Sequence, residues 1–324
     1  MQADVLSDVL RAVRLTGALY FDMEMSVPWV AEAPPSREIA GIVMPGAHRV
    51  IEYHLIARGA AWGHAVDHEP IRLGEGDLIV FPQGHAHVLS SAPGMRGRTD
   101  LSLYARKSTL PMCYESGGGG AERARIVCCF LGCDERPYNP LLGALPPMIH
   151  LPAAGPDSLA GYLGTMLTIA AAESGSARPG ADNVRERLSE LMFVEAIRRY
   201  IETLAPAETG WLAGLRDPVV GKALAALHAG PRESWTVEGL ARNVGVSRSV
   251  LAERFTSMVG QPPMQYLALW RMQLASRLLI EGGQLAAVSA AAGYASEAAF
   301  SRAFKKLVGQ APAAWRKGAR PESP

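Results

Sequence analysis

The sequence predicts a multidomain α+β protein: an N-terminal antiparallel β-barrel, a central helical linker and a C-terminal all-α domain with two helix-turn-helix units. Its 324 residues exceed what one ordinary hydrophobic core holds. Residues 41–89 are short runs rich in β-branched and aromatic side chains, punctuated by glycine, the pattern of a compact barrel. Beyond residue 240, a helix, tight turn and helix are written twice at a spacing of 49 residues. The boundaries follow: 1–150 for the barrel domain, 151–210 for the linker, 211–318 for the all-α domain and 319–324 for a disordered tail.

In the first half, HRVIEYHLIARG, AAWGHAV and EPIRLGEGDLIVFPQGHAHVLS supply the barrel strands, and RIVCCFLG supplies one more. His85 and His87 are predicted to project to one side of a strand, with His54 approaching from a neighbour. Two readings stay open: a three-histidine site for a divalent metal, or histidines exposed or hydrogen-bonded at the barrel mouth. Cys128 and Cys129 are adjacent on a strand, so their side chains point to opposite faces and one is expected to be accessible. Cys133 is placed beyond the strand end, and Cys113 lies before the Gly117–Gly120 run. These four cysteines are too few and too clustered for a secreted disulfide framework. As thiols they either fill the barrel or act as a redox or electrophile switch, which requires an accessible, acidic thiol with a resolving partner.

The linker reads as two amphipathic helices, 157–174 and 182–204, split by GSARPGA. A stripe of Val184, Leu188, Leu191, Val194, Ile201 and Leu204 is wide enough to pack on the barrel and still meet a partner.

In the last hundred residues, LARNVGVSRSVLAERFTSMVGQPP aligns with VSAAAGYASEAAFSRAFKKLVGQAP. Gly245 and Gly293 close the first helix of each unit in the left-handed conformation, and Ser247 and Ser296 cap the second. Leu251 with Phe255, and Phe300 with Phe304, stand four apart on a buried stripe. The free faces carry Arg248, Ser249, Ala252 and Glu253 in one unit, and Glu297, Ala298, Ser301, Arg302 and Lys305 in the other. Between them, PMQYLALWRMQLASRLLI forms a connecting rod about 27 Å long at 1.5 Å per residue. Such a rod holds two helices about one DNA turn apart, on one face of a duplex. Arg248, Ser249 and Arg302 are assigned to base edges, and Lys305, Lys306, Arg271 and Arg316 to phosphates or scaffold.

Charge agrees with this division. Residues 1–231 carry 20 Lys/Arg against 25 Asp/Glu, whereas 232–320 carry 12 against 5. Basic charge segregated at one end is the footprint of a polyanion-binding module. No basic stretch followed by an apolar run opens the chain, and no window has the roughly 18 apolar residues a membrane span needs. A cytoplasmic protein with no membrane partner is expected.

The stretch from Asp217 to Arg316 resembles the DNA-binding domain of AraC/XylS-type regulators over its whole length. The departures are Ser289, Ala292, Ala311 and Trp315, which alter the second unit's core, and Glu253, a carboxylate beside the expected base edges. GDLIVFPQGHAH, from Gly76 to His87, resembles the second cupin motif, with Ser91 where asparagine is usual. Together these imply a cupin-like sensor domain of the AraC branch that includes oxidant- and electrophile-responsive members. They imply double-stranded promoter DNA as partner, RNA polymerase if the protein activates, a small-molecule, metal or oxidant effector, and a homodimer formed through the linker. The rival is a metal-dependent cupin enzyme with a helical appendage. HLIARG puts Arg58 near where the acidic ligand should stand, so no enzyme activity and no required cofactor are expected.

Overall fold

A computed structural model describes residues 4–13, 15–105, 111–134, 136–153, 165–166, 169, 179–205 and 208–318. The linker helix expected over 157–174 and the tail 319–324 fall largely or wholly outside them. Among the described residues, no helix is long and apolar enough to cross a membrane.

The chain forms two compact units that are not consecutive pieces of sequence. One comprises Arg14–Asp134 and Leu145–Thr203; the other comprises Met1–Val13, Glu135–Ala144 and Leu204–Pro324. Where the sequence places boundaries at residues 150 and 210, the segments 1–13 and 135–144 belong to the helical unit and residues 145–203 to the β unit. The reason is topological: β1 (Thr16–Ser26) and β9 (Arg123–Cys133) pair at Thr16 and Gly132, so the chain before one and after the other leaves the sheet at the same end.

The first unit is built from two β-sheets instead of the one closed barrel expected. β3 (Arg49–Arg58), β6 (Leu78–Phe81), β8 (Met112–Gly117) and β10 (Ile149–Leu151) join β1 and β9 in the order β10-β6-β3-β9-β1-β8. β8 runs parallel to β1, and the other pairs are antiparallel. β2 (Val30–Ala33), β7 (His87–Ser90), β4 (Ala61–Ala65) and β5 (Ile71–Leu73) form the second sheet in that order. Met23, Met25, Ile56, Leu73, Ile79, Phe81, Leu89 and Ile126 pack between the sheets. A neighbouring cluster of Val50, Phe130, Met112 and Tyr104 is closed by Ile39, Ala40 and Val43 of α2 (Ser36–Val43).

β3 and β9 are central strands covered on both sides, which is why both read as long buried runs. Their second face is covered by the helix Ala181–Thr203, here α4. The face it buries is Ala181, Arg185, Ser189, Met192, Phe193, Ala196 and Ile197. This corrects the expected stripe: Val184 and Leu191 are exposed, because the helix is turned to seat Ser189 on Tyr53. The approach of α4 to β1 is close enough to require a glycine. A Cβ at Gly17 would stand 2.6 Å from the Glu186 carbonyl oxygen and 2.7 Å from the Ser189 Cβ.

The second unit is all-helical: α1 (Val5–Val13), α3 (Pro140–Ala144), α5 (Trp211–Arg216), α6 (Val220–Ala229), α7 (Val237–Val244), α8 (Arg248–Val259), α9 (Pro263–Ile280), α10 (Leu285–Ala291), α11 (Glu297–Val308) and α12 (Pro312–Gly318). α1 buries Val5, Val9, Ala12 and Val13 along one stripe. The rod α9 spans the 18 residues expected, with Pro263 at its first turn. Met272, Ala275 and Leu279 of α9 pack with Val288, Ala292, Phe300, Phe304 and Trp315. Trp315 packs in the same cluster as Ala292, its ring 6.1 Å edge-on to Phe304.

Gly17→Ala is expected to destabilise the β unit by about 1–3 kcal/mol, because the added methyl has no room against the α4 backbone. A urea midpoint unchanged from the parent would contradict the close approach of α4 to β1.

Candidate functional site

The second helix of each repeated unit, α8 and α11, begins on a serine. Ser247 Oγ accepts from Val250 N at 3.3 Å and Ser296 Oγ from Ala299 N at 3.2 Å, satisfying amides that otherwise lack partners. The preceding Gly245 and Gly293 have φ of 80° and 76°, the left-handed turn between the two helices of each unit. Leu251, Phe255, Phe300 and Phe304 are fully buried. The opposite faces therefore remain in solvent: Arg248, Ser249 and Glu253 on α8, and Glu297, Ala298, Arg302, Lys305 and Lys306 on α11 are exposed, with Ala252 and Ser301 half-buried beside them.

Not every expected cation is on that surface. Arg271 is half-buried, and its guanidinium donates to the Pro231 carbonyl at 2.6 Å and the Glu233 carbonyl at 2.8 Å. Two of its five N–H donors are thus held by backbone carbonyls, which favours the scaffold side of the expectation over the phosphate side. Arg316 likewise donates to the Gly283 carbonyl. Arg248 pairs with Glu238 at 2.8 Å while staying exposed. Arg254, one position past Glu253, is tied to Asp217, whose carboxylate also accepts from Val219 N and Val220 N at the start of α6.

A second polar group lies between the two sheets of the β unit. Glu52 and His54 alternate on β3, facing His87 at the start of β7, and the three are 1%, 5% and 1% exposed. Their ligating atoms lie within 4.8 Å of one another, a grouping that can hold a metal ion. His87 Nδ1 donates to the His85 carbonyl at 2.9 Å, so the neutral ring presents a bare Nε2. His54 Nε2 donates to it at 2.7 Å, which leaves His54 Nδ1 without a hydrogen, and that atom has no partner. Glu52 Oε2 stands 3.9 Å from His87 Nε2, and its Oε1 has no partner. Phe81 stacks on His87 at 3.9 Å and meets His54 edge-on at 5.9 Å, closing the group in an apolar box.

Burial sets the protonation of all three. It holds the Glu52 carboxyl well above the usual carboxylate range. It pushes His87 down to about 4 and, with His87 alongside, His54 well below the usual imidazole range.

Two sequence expectations are corrected here. His85 is exposed in the turn before β7 instead of sharing a strand face with His87, because the extended backbone begins only at His87. The carboxylate that stands with the histidines is Glu52, two residues before His54 and therefore on the same strand face. Arg58 instead reaches out to Glu24 at 2.7 Å. The signal available in the sequence was the buried-strand alternation Glu52, His54, Ile56 within an otherwise apolar run.

The cysteine expectations are corrected as well. Cys128 faces the space between the sheets and Cys129 faces α4, so both are buried even though they point oppositely. Cys133 is the last residue of β9, not beyond it, and is also buried; Cys113 on β8 is exposed, and no disulfide joins the four. Burial pushes the Cys129 thiol up to about 12 and Cys128 well above its ordinary value, the opposite of a reactive thiolate.

Residues 4–202 match the cupin family and residues 240–318 a helix-turn-helix domain family. A putative AraC-like transcription regulator of Streptomyces lividans is 37% identical over 278 residues, covering 84% of this chain and 88% of its own. Another, of Streptomyces antibioticus, is 34% identical over 323 residues, covering 98% and 100%. The HTH-type transcriptional regulator AlkR of Acinetobacter baylyi is 32% identical over 266 residues, covering 81% and 86%.

The burial pattern predicts that iodoacetamide labels Cys113 in the native protein and reaches Cys128, Cys129 and Cys133 only after denaturant is added. Native labelling of any β9 cysteine, located by peptide mass mapping, would contradict it.

Proposed function

Because the chain belongs to the AraC-like transcription regulators that join an N-terminal cupin domain to a helix-turn-helix domain, we propose that it reads promoter DNA with α8 and α11 under control of a signal received between its β-sheets. The observation that carries the DNA reading is the pair of serine-capped helices whose apolar faces are fully buried and whose polar faces are left in solvent. Arg302 on α11 and Arg248 with Ser249 on α8 reach base edges, while Lys305 and Lys306 neutralise phosphate. Glu253, central on the free face of α8, accepts from a cytosine amino group. RNA polymerase is a further partner where the outcome is activation. The exposed Val184 and Leu191 of α4 support a second copy of the chain as the partner of that face.

For the signal, the group Glu52, His54 and His87 favours a divalent transition metal over thiol oxidation. Two imidazoles and a carboxylate suit such an ion, and the fit rests on two buried atoms without partners, Glu52 Oε1 and His54 Nδ1. A bound cation would supply the positive charge that stabilises a buried carboxylate. His87 is already oriented for this role, since its Nδ1 hydrogen is held by the His85 carbonyl and its Nε2 lone pair points inward. The near-complete burial of the group supports a regulatory ion over an enzyme centre, which must admit substrate.

Arg302→Ala is expected to cost about 1–3 kcal/mol and to relax preference at one base position, whereas Lys305→Ala weakens all sequences alike. Binding titrations on duplexes differing at single positions separate the two, and equal, uniform losses from both variants would refute the assignment. Full-length protein loaded with zinc and desalted is expected to retain about one ion per chain, and neither His87→Ala nor Glu52→Gln to retain it. A wild-type protein that keeps no zinc would refute the metal reading and leave the DNA reading untouched.

A further inference from the structure

The connecting rod α9 carries a buried glutamine at its middle, Gln273, only 3% exposed. Its carboxamide is satisfied by two segments remote in sequence. Oε1 accepts from Tyr138 N at 3.1 Å, and Nε2 donates to the Ala12 carbonyl at 3.3 Å. Arg277, one turn further on, donates to the Arg11 carbonyl at 3.2 Å. Nothing in a two-reader module requires a polar residue there, and an unpartnered buried carboxamide is costly. Its purpose has to be sought in what it holds.

What it holds is the short strap Arg136–Tyr138, which reaches both readers. The Tyr138 hydroxyl accepts from Gln261 Nε2 at 2.6 Å, in the turn that ends α8. The Tyr138 ring meets Tyr266 edge-on at 6.1 Å, and Tyr266 in turn packs on Phe255, the core residue of the first reading helix, at 5.8 Å. At the other end, the Arg136 guanidinium lies 5.7 Å over the Trp315 ring, and Trp315 packs on Phe304, the core residue of the second reading helix. One strap thus touches the turn after α8, α9 and α12, and reaches Phe255 of α8 through Tyr266 and Phe304 of α11 through Trp315.

From this we infer that Arg136–Tyr138, locked by Gln273, is a positioning element that fixes the separation and rotation of the two reading helices and so selects the spacing between the two DNA half-sites. The inference rests on the duplex-reading function above and goes beyond it. The strap follows β9 after two residues, and Ala12 precedes β1 by four, so both segments that Gln273 joins are covalent extensions of paired strand ends in the other unit.

The test uses the full-length protein and a duplex selected by it from a random pool, rebuilt with the gap between half-sites lengthened or shortened by one and two base pairs. Each added pair turns the second site by about 35°. The wild type is expected to bind its best spacing about tenfold tighter than its neighbours, as for the loss of one good base contact. Tyr138→Phe and, separately, Arg136→Ala should flatten that profile to about threefold or less, with affinity for the best spacing changed by no more than about threefold. A destabilised fold would lower binding at every spacing in parallel, and that outcome, or a Tyr138→Phe profile equal to the wild type's, overturns the inference. Should Arg136→Ala fail to fold, Tyr138→Phe decides alone, since it removes a single hydroxyl. A wild-type protein that selects no duplex fails the DNA reading itself, which is a separate result.

Discussion

Each reading helix commits two apolar side chains, four residues apart, to a core organised around α9. Leu251 with Phe255 and Phe300 with Phe304 are fully buried, and once they are placed, the opposite face of each helix can only point to solvent. The capping serines and left-handed glycines fix where each helix begins and how the chain enters it. Arg271, half-buried, places two of its donors on the Pro231 and Glu233 carbonyls.

The β unit is governed by the opposite circumstance, a polar group with nowhere to go. Glu52, His54 and His87 are buried beside the Phe81 ring, and burial drives all three toward their neutral forms. Neutrality removes the cost of buried charge but not that of unmade hydrogen bonds, and two of their atoms remain without partners. The thiols of Cys128 and Cys129, equally buried, are pushed up by the same desolvation.

The helical unit is legible in the sequence because its determinants are local. Caps, glycine turns, the four-residue apolar spacing and the proline-started rod all lie within a few residues of what they determine, and the rod's limits at Pro263 and Ile280 follow from them. The β unit is legible in class but not in detail. Both cysteine faces of β9 are covered because α4 closes one and the second sheet the other, and no alternation within RIVCCFLG can reveal that. Glu52 escapes a search directed downstream of His54, although its place two residues upstream puts it on the same face. The assignment of α1 and the strap to the helical unit depends on contacts across more than a hundred residues, such as Tyr138 with Gln261 and Ala12 with Gln273, which no local rule encodes.

The helical unit is proposed to face a duplex with α8 and α11, the cations of α11 lying on its phosphates. The measurement that tests it most directly is the affinity of the full-length protein for a double-stranded fragment as a function of salt. The account predicts a linear fall of log affinity with log salt, steepness set by the phosphates neutralised, with the slope reduced by about 2 when Lys305 and Lys306 are both replaced by alanine. An affinity indifferent to salt, or absent for every duplex tried, would contradict it.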